Sequence, residues 1–123
     1  MFNVASRWKA DVDRGPDWVF VRLRPGQHPG DSPLADYLWS ILQQHFTYRL
    51  VLELDEVRDL QSHLIGQLAL LAQRIQKRGG LLRLCGLSED NKALLNTCRL
   101  DSYMPHFATR GEAVMGHRPH QPR

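Results

Sequence analysis

The chain has 123 residues, of which 42% are hydrophobic and 24% charged. This balance is typical of one globular domain that buries its core without a structural metal or a disulfide framework. No apolar run approaches the ~20 residues of a membrane-spanning helix, and the N-terminus lacks the charged head and apolar segment of a signal peptide. We therefore expect a cytoplasmic protein with no membrane span.

The net charge is +3 at neutral pH, and the basic residues are scattered along the chain or lie near its C-terminus. Nucleic-acid-binding proteins usually carry a basic stripe with interleaved aromatic residues. The sequence shows no such stripe, so we expect no nucleic-acid partner.

Cysteines and histidines predict neither a disulfide nor a metal site. Cys85 and Cys98 both fall among apolar residues, so we expect two buried and reduced thiols. The six histidines form no pair at helical spacing within an ordered segment, because His117 and His120 lie in a Pro-rich tail. We predict no metal site and no cofactor.

The N-terminal region predicts a β-hairpin. Apolar and polar residues alternate over 7–12 and, less strictly, over 17–23, and Asp13-Arg-Gly-Pro16 between them is a turn signal. The segment 25–30, rich in proline and glycine, then separates the hairpin from the next element.

A first helix is predicted after this break, capped by Asp31 or Ser32 and with Pro33 in its first position. Its apolar residues recur at helical spacing and should face the core. They are Leu34, Leu38, Ile41 and Leu42. Tyr37 and Trp39 are expected partly on the flanks of this helix.

The middle of the chain predicts a strand over 48–54, an acidic turn over 55–59 and a long helix over 62–78. Gly79-Gly80 suits the left-handed end of that helix, and a buried strand over 81–85 follows. The apolar density of both strands is typical of central strands in a parallel sheet.

The C-terminal part predicts a helix capped by Ser88, a weak strand over 104–107, a short helix over 111–115 and a disordered tail over 116–123. The inner face of the helix after Ser88 should include Leu94, Leu95 and Cys98. Strands that alternate with helices predict parallel strands with right-handed crossovers. The expected fold is therefore α/β, a mixed sheet with an N-terminal hairpin and helices mainly on one face, in a single domain over 1–115.

The long helix has an apolar side, a polar side and one exception. Its apolar residues should face the sheet: Leu64, Leu68, Leu71, Ala72 and Ile75. The residues on the opposite side should be exposed to solvent: His63, Gln67, Arg74 and Lys77. Leu70 lies in the middle of this polar side, and Gly66, one turn before it, weakens a helix unless something must approach closely. We interpret Gly66 and Leu70, with Ser62 at the edge, as a strip that a partner recognises.

Motifs of nucleotide-binding loops and of nucleophile elbows are absent from the sequence. The acidic residues Glu53, Asp55, Glu56 and Asp59 have two interpretations, a solvated turn or the phosphoacceptor cluster of a two-component receiver. A receiver carries an acidic pair after its first core strand, where this chain has Arg22-Leu-Arg24.

Residues 50–68 resemble the core of the STAS domain, the family of bacterial anti-sigma factor antagonists. Leu54-Asp-Glu-Val57 resembles the exit of the family's central strand. Ser62 falls on the first serine of its Asp-Ser-Ser/Thr-Gly-Leu-Gly motif, and Gly66 on the last glycine. The similarity extends over 18–114.

The resemblance implies a non-enzymatic signalling module that works by partner switching. In the family's phosphoswitches, an anti-sigma factor with a histidine-kinase-like fold phosphorylates the motif serine, and a PP2C-type phosphatase removes the phosphate. This chain departs from the motif at Gln61, where the family has aspartate, at His63, where it has a small hydroxyl residue, and at Leu64, where it has glycine.

Ser62 is therefore the candidate phosphorylation site, and the long-helix N-terminus offers the free N–H groups and the dipole that favour a phosphate. It is also expected to cap that helix. The candidate partner-binding residues are Gln61, Ser62, His63, Gly66 and Leu70, and the expected partner is an anti-sigma factor. Two alternatives remain, a scaffold component in which Ser62 is never phosphorylated and a receiver-like phosphoacceptor that uses Asp55.

Overall fold

One mixed sheet of five strands, in the order β1-β2-β3-β4-β5, organises the fold. The computed structural model describes residues 8–26 and 32–116. The strands are β1 Trp8–Arg14, β2 Val19–Pro25, β3 Arg49–Glu53, β4 Leu81–Cys85 and β5 His106–Phe107. β1 pairs with β2 antiparallel, and the other neighbours pair in parallel. The predicted hairpin and mixed sheet are confirmed.

The described residues form four helices, three of which connect strands and share one face of the sheet, whereas the fourth follows the last strand. They are α1 Leu34–Gln44, α2 Ser62–Lys77, α3 Glu89–Thr97 and α4 Arg110–Met115. Buried residues of α1, α2 and α3 belong to one core, whereas Ala113 of α4 packs into a smaller core on the opposite face. The expectation of helices mainly on one face is confirmed. None of the helices in the described ranges is long and apolar enough to cross a membrane.

The larger core forms because side chains alternate across each strand. Its sheet side consists of Val19, Val21, Leu23, Leu50, Leu52, Leu82 and Leu84. The apolar side predicted for the long helix lies against them, with Leu64, Leu68, Leu71, Ala72 and Ile75 buried. α2 ends at Lys77 with Arg78 as its C-cap, and the next residue, Gly79, has a φ of +72° that suits glycine. A Cβ on Gly80 would lie 2.1 Å from the Tyr48 carbonyl oxygen, so only glycine fits there.

On the opposite face, the buried carboxylate of Glu53 joins α4 to the sheet. Glu53 Oε1 lies 3.0 Å from Arg22 Nη2, and Arg110 Nε donates a hydrogen bond to Oε2. This bond raises the pKa of Arg110. The Arg110 guanidinium also lies over the Phe20 ring, 4.2 Å from its centroid, so the base of α4 is held by charge and packing together.

Trp39, expected partly on the flank of α1, is buried because it stacks on Tyr48 with ring centroids 5.1 Å apart. Two local expectations were wrong. Pro33 occupies the N-cap position of α1 instead of the first helical position. Cys98 is exposed, because α3 ends at Thr97 and Cys98 lies at its C-cap.

Cys85 is buried as expected, and its burial raises the pKa of the thiol to about 12. The proposed cap Asp31 and tail residues 117–123 lie outside the described residues. Gly116, the first residue of the predicted tail, instead ends α4 with a φ of +79°.

Candidate functional site

The candidate site is built on the N-terminus of α2, at the sheet edge where the parallel strands end. Gln61 occupies the N-cap position in an extended conformation, and its carbonyl oxygen accepts the first helical hydrogen bond from Ile65 N–H at 2.9 Å. Ser62 is therefore the first helical residue, and no side chain among the described residues caps α2. The expectation that Ser62 caps the helix was wrong, because the cap lies one residue earlier.

Asn91 of α3 holds the loop between β3 and α2 and thereby positions Ser62. We call its hydrogen bonds to this loop the Asn91 clamp. Its side chain is 3% exposed. Asn91 Nδ2 donates to the carbonyl oxygens of Val57 and Arg58, both at 3.2 Å, and Oδ1 accepts from Leu60 N–H at 3.1 Å. Val57 and Leu60 are themselves buried, so the loop enters α2 along a defined path.

Four of the predicted partner-binding residues lie together on the side of α2 that points away from the sheet. We call this the outward face: Ser62, His63, Gly66 and Leu70. All four are exposed, and the Leu70 side chain is 52% exposed. A Cβ built on Gly66 would have no heavy atom within 4 Å. The fifth residue, Gln61, is exposed and precedes the helix.

One flank of α2 packs against α1. This flank is less exposed to solvent than the sequence pattern of the helix predicted. Gln67 Oε1 accepts a hydrogen bond from Ala35 N–H at 2.9 Å, replacing the cap that Pro33 cannot supply. Arg74 pairs with Asp36 at 2.8 Å. A groove of about 310 Å³ runs between the two helices and is lined by Pro33, Ala35, Gln67 and Leu70 among others. Leu70 therefore borders a shallow groove.

The first turn of α2 also differs from the other helices in charge. Each of the other three described helices has an acidic residue in its first turn, namely Asp36, Glu89 with Asp90, and Glu112, but α2 has none. The positive end of the α2 dipole is therefore not compensated by its own helix. A negative group on the Ser62 hydroxyl would complement it.

Acidic residues gather beside this site but are held in ion pairs or in solvent. Asp55 lies 3.2 Å from Arg22, and Asp59 is exposed. Together with Asp90 they line an open cavity of about 580 Å³. Within residues 8–26 and 32–116, no three acidic, histidine or cysteine side chains are grouped so as to hold a metal ion.

The family model of the STAS domain matches residues 32–113, a segment that contains the outward face, the Asn91 clamp and the strands β3, β4 and β5. The chain belongs to the STAS domain family. The match favours this fold over the receiver alternative that was based on Asp55. No curated protein sequence matches this STAS chain.

Solved structures with the same fold include the Thermotoga maritima protein TM1081, described as a candidate anti-sigma factor antagonist. Its crystal structure aligns with a TM-score of 0.72 at 16% identity, over 87% of this chain and 92% of that one. Its NMR structure aligns with a TM-score of 0.64 at 18% identity, over 85% and 84%. At this identity the likeness establishes a common fold.

Sequence reasoning missed the two side chains that support the outward face. Asn91 lies one turn before Leu95, on the buried face of α3, so a polar residue at an apolar position was the available signal. Gln67 had no comparable signal. Its role depends on where α1 lies relative to α2.

Proposed function

We propose that this STAS domain is an anti-sigma factor antagonist that binds its partner through the outward face of α2. The partner would be an anti-sigma factor with a histidine-kinase-like fold. Binding sequesters that partner and releases a sigma factor, and phosphorylation of Ser62 reverses the binding. The domain acts as a cytoplasmic binding module and catalyses no reaction of its own.

The observation that carries this proposal is the uncovered outward face itself. Gly66 and Leu70 are both unfavourable choices for a solvated helix face, since glycine costs ~1 kcal/mol relative to alanine and a half-exposed leucine gains little from burial. A partner helix or loop that approaches over Gly66 and covers Leu70 would account for both residues. The groove beside Leu70 adds apolar surface from Pro33 and Ala35.

Ser62 supports phosphorylation as the control of this binding. Its hydroxyl is exposed at the first helical position, and the helix lacks a first-turn acid of its own. A phosphate there would add nearly two negative charges close to the positive end of the dipole, so the fold tolerates it. The same charges would lie at the edge of the partner contact and weaken it.

We expect Ser62→Asp to weaken partner binding at least tenfold while the melting temperature stays near that of wild type. Ser62→Ala should keep both binding and stability, because Ser62 is not the cap of α2. The measurement is calorimetric titration with the anti-sigma factor recovered on immobilised wild-type protein. Incubation of that partner with ATP should place an acid-stable phosphate on wild type and not on Ser62→Ala.

Equal affinity of wild type and Ser62→Asp, with no phosphate transfer, would contradict the switch. In that case the domain is the non-phosphorylated scaffold component. An acid-labile phosphate on Asp55 after incubation with acetyl phosphate would instead support the receiver alternative.

Replacing Gly66 should separate stability from binding. Gly66→Ala adds a methyl group that meets no described side chain and no other element of the fold, so we expect the free energy of unfolding to rise by about 1 kcal/mol. The same methyl group should obstruct a partner that approaches the helix backbone and lower its affinity. Denaturant unfolding and calorimetric titration measure the two effects. A stabilised variant with unchanged affinity would show that the partner does not pass over Gly66.

A further inference from the structure

A second exposed surface lies at the opposite end of the molecule, at the sheet edge where the parallel strands begin. It combines basic side chains with one aromatic ring, all of them exposed. We call it the amino-edge patch: Arg14, Phe46, Arg49, Lys77, Arg78 and Arg99. The ends of α1, α2 and α3, the end of the antiparallel strand β1 and the start of β3 bring these residues to one edge.

Contacts fix the basic side chains around the turn that carries Phe46. Arg14 Nη2 donates a hydrogen bond to the carbonyl oxygen of His45, the residue before Phe46, at 3.4 Å. The Arg78 guanidinium lies over the ring of Tyr48, 5.5 Å from its centroid. The turn and its arginines therefore form one surface.

The backbone of Phe46 adopts a left-handed conformation that is unfavourable for residues other than glycine. Its φ is +55° and its side chain is 92% exposed. It directly follows the C-cap of α1, in the position where α2 has Gly79. Arg99, with a φ of +59°, takes that position after α3. The two non-glycine residues with positive φ in the described part of the chain thus both lie in this patch, and such strain often marks functional surfaces.

The positive charge of the patch is not compensated by the fold. Five of the basic residues elsewhere pair with carboxylates, namely Arg22, Arg24, Arg74, Lys92 and Arg110, whereas Lys9, Arg58 and Arg83 have no such pair among the described residues. None of the basic residues of the patch has such a pair among the described residues. Two exposed carboxylates lie near it, Asp17 in the hairpin turn and Asp101 two residues after Arg99. The dipole of α2 accounts for Lys77 and Arg78 but not for Arg14 and Arg49 at the ends of strands.

We propose that the amino-edge patch docks the protein on an anionic lipid surface, with the ring of Phe46 inserted among the headgroups. Each basic residue near such a surface attracts it, and an aromatic ring is favourable at the interface. A protein partner would require a contiguous apolar centre, and the patch offers one ring. The inference is independent of the proposed function.

Docking in this way would leave the outward face accessible. α2 has 16 residues and therefore spans about 24 Å between Ser62 and Lys77. With Lys77 and Arg78 at the lipid surface, Ser62 lies at the far end of the helix. A protein partner can then reach Ser62 while the domain is docked.

The test is sedimentation of the purified protein with phosphatidylcholine vesicles, with and without phosphatidylserine. We expect binding that requires phosphatidylserine and weakens as salt is added. Phe46→Gly should lower binding about tenfold or more while the melting temperature stays equal or rises, because glycine relieves the strained turn. Arg49→Glu should also lower binding tenfold or more. The matched control Arg58→Glu, at the other edge, should bind as wild type.

Three results would overturn the proposal: no binding to phosphatidylserine vesicles, equal binding to both kinds of vesicle, or unchanged binding of Phe46→Gly. Self-association that Phe46→Gly and Arg49→Glu abolish, without vesicle binding, would assign the patch to a second copy of the chain. Leu70→Glu should bind vesicles as wild type, so failure here and failure of the proposed function are distinguishable.

Discussion

Leu70→Glu should abolish capture of the anti-sigma factor, lowering the affinity by about 100-fold or more. The Leu70 side chain is 52% exposed in the free protein and borders the groove between α1 and α2. A partner that covers it would lose an apolar contact and would have to desolvate a carboxylate instead. Calorimetric titration with the recovered partner measures the loss.

The same substitution should leave the melting temperature within a few degrees of wild type, because Leu70 contributes little to the core. Met115→Glu is a matched control. Met115 is 63% exposed on α4, on the other side of the sheet, so its variant should keep full affinity. Retained affinity in Leu70→Glu would rule out the outward face as the contact, and a large loss of stability would show that Leu70 is part of the core.

Asn91→Ala should produce a large loss of stability, about 3 kcal/mol in the free energy of unfolding. The side chain makes three hydrogen bonds to the backbone of the loop before α2, and removing it leaves buried polar groups without partners. Asn96→Ala is the control, because Asn96 is exposed on the same helix, and it should cost less than about 0.5 kcal/mol. Denaturant unfolding measures both.

Loss of the Asn91 clamp should also loosen the entry into α2. Hydrogen exchange at the Leu60 amide should accelerate in Asn91→Ala, and affinity for the partner should fall because Ser62 is no longer held at a defined place. Equal unfolding free energies of Asn91→Ala and Asn96→Ala would show that the clamp contributes nothing. Faster exchange with unchanged affinity would show that the partner reorders the loop itself.

The sequence alone determined the elements whose signals are local. The buried side of α2 follows from helical spacing, because residues three and four apart share a face whatever the helix packs against. The hairpin follows from strand alternation around Asp13-Arg-Gly-Pro16. The exposure of Leu70 follows from the same helical spacing, since a residue on the polar side of the helix points away from the sheet.

Local signals fail at the ends of helices, where one residue changes the role of a side chain. Serine is a common N-cap residue, but Gln61, and not Ser62, occupies the N-cap position of α2. Cys98 continues the apolar spacing of α3, but the helix ends before it. Such boundaries depend on where the loop is anchored, and here the anchor is Asn91, 29 positions after Ser62 in the chain.

Surfaces assembled from distant segments were decided by the tertiary structure alone. Along the sequence the basic residues are scattered, and from that pattern no basic surface was expected. The crossover helices bring the starts of the parallel strands β2 to β5, the end of the antiparallel strand β1 and the ends of α1, α2 and α3 to one edge. Arg14, Phe46 and Arg99 therefore share this edge although up to 85 positions separate them. The spacing of residues along the sequence does not predict this surface, because strand pairing, and not periodicity, determines which residues lie at one edge of the sheet.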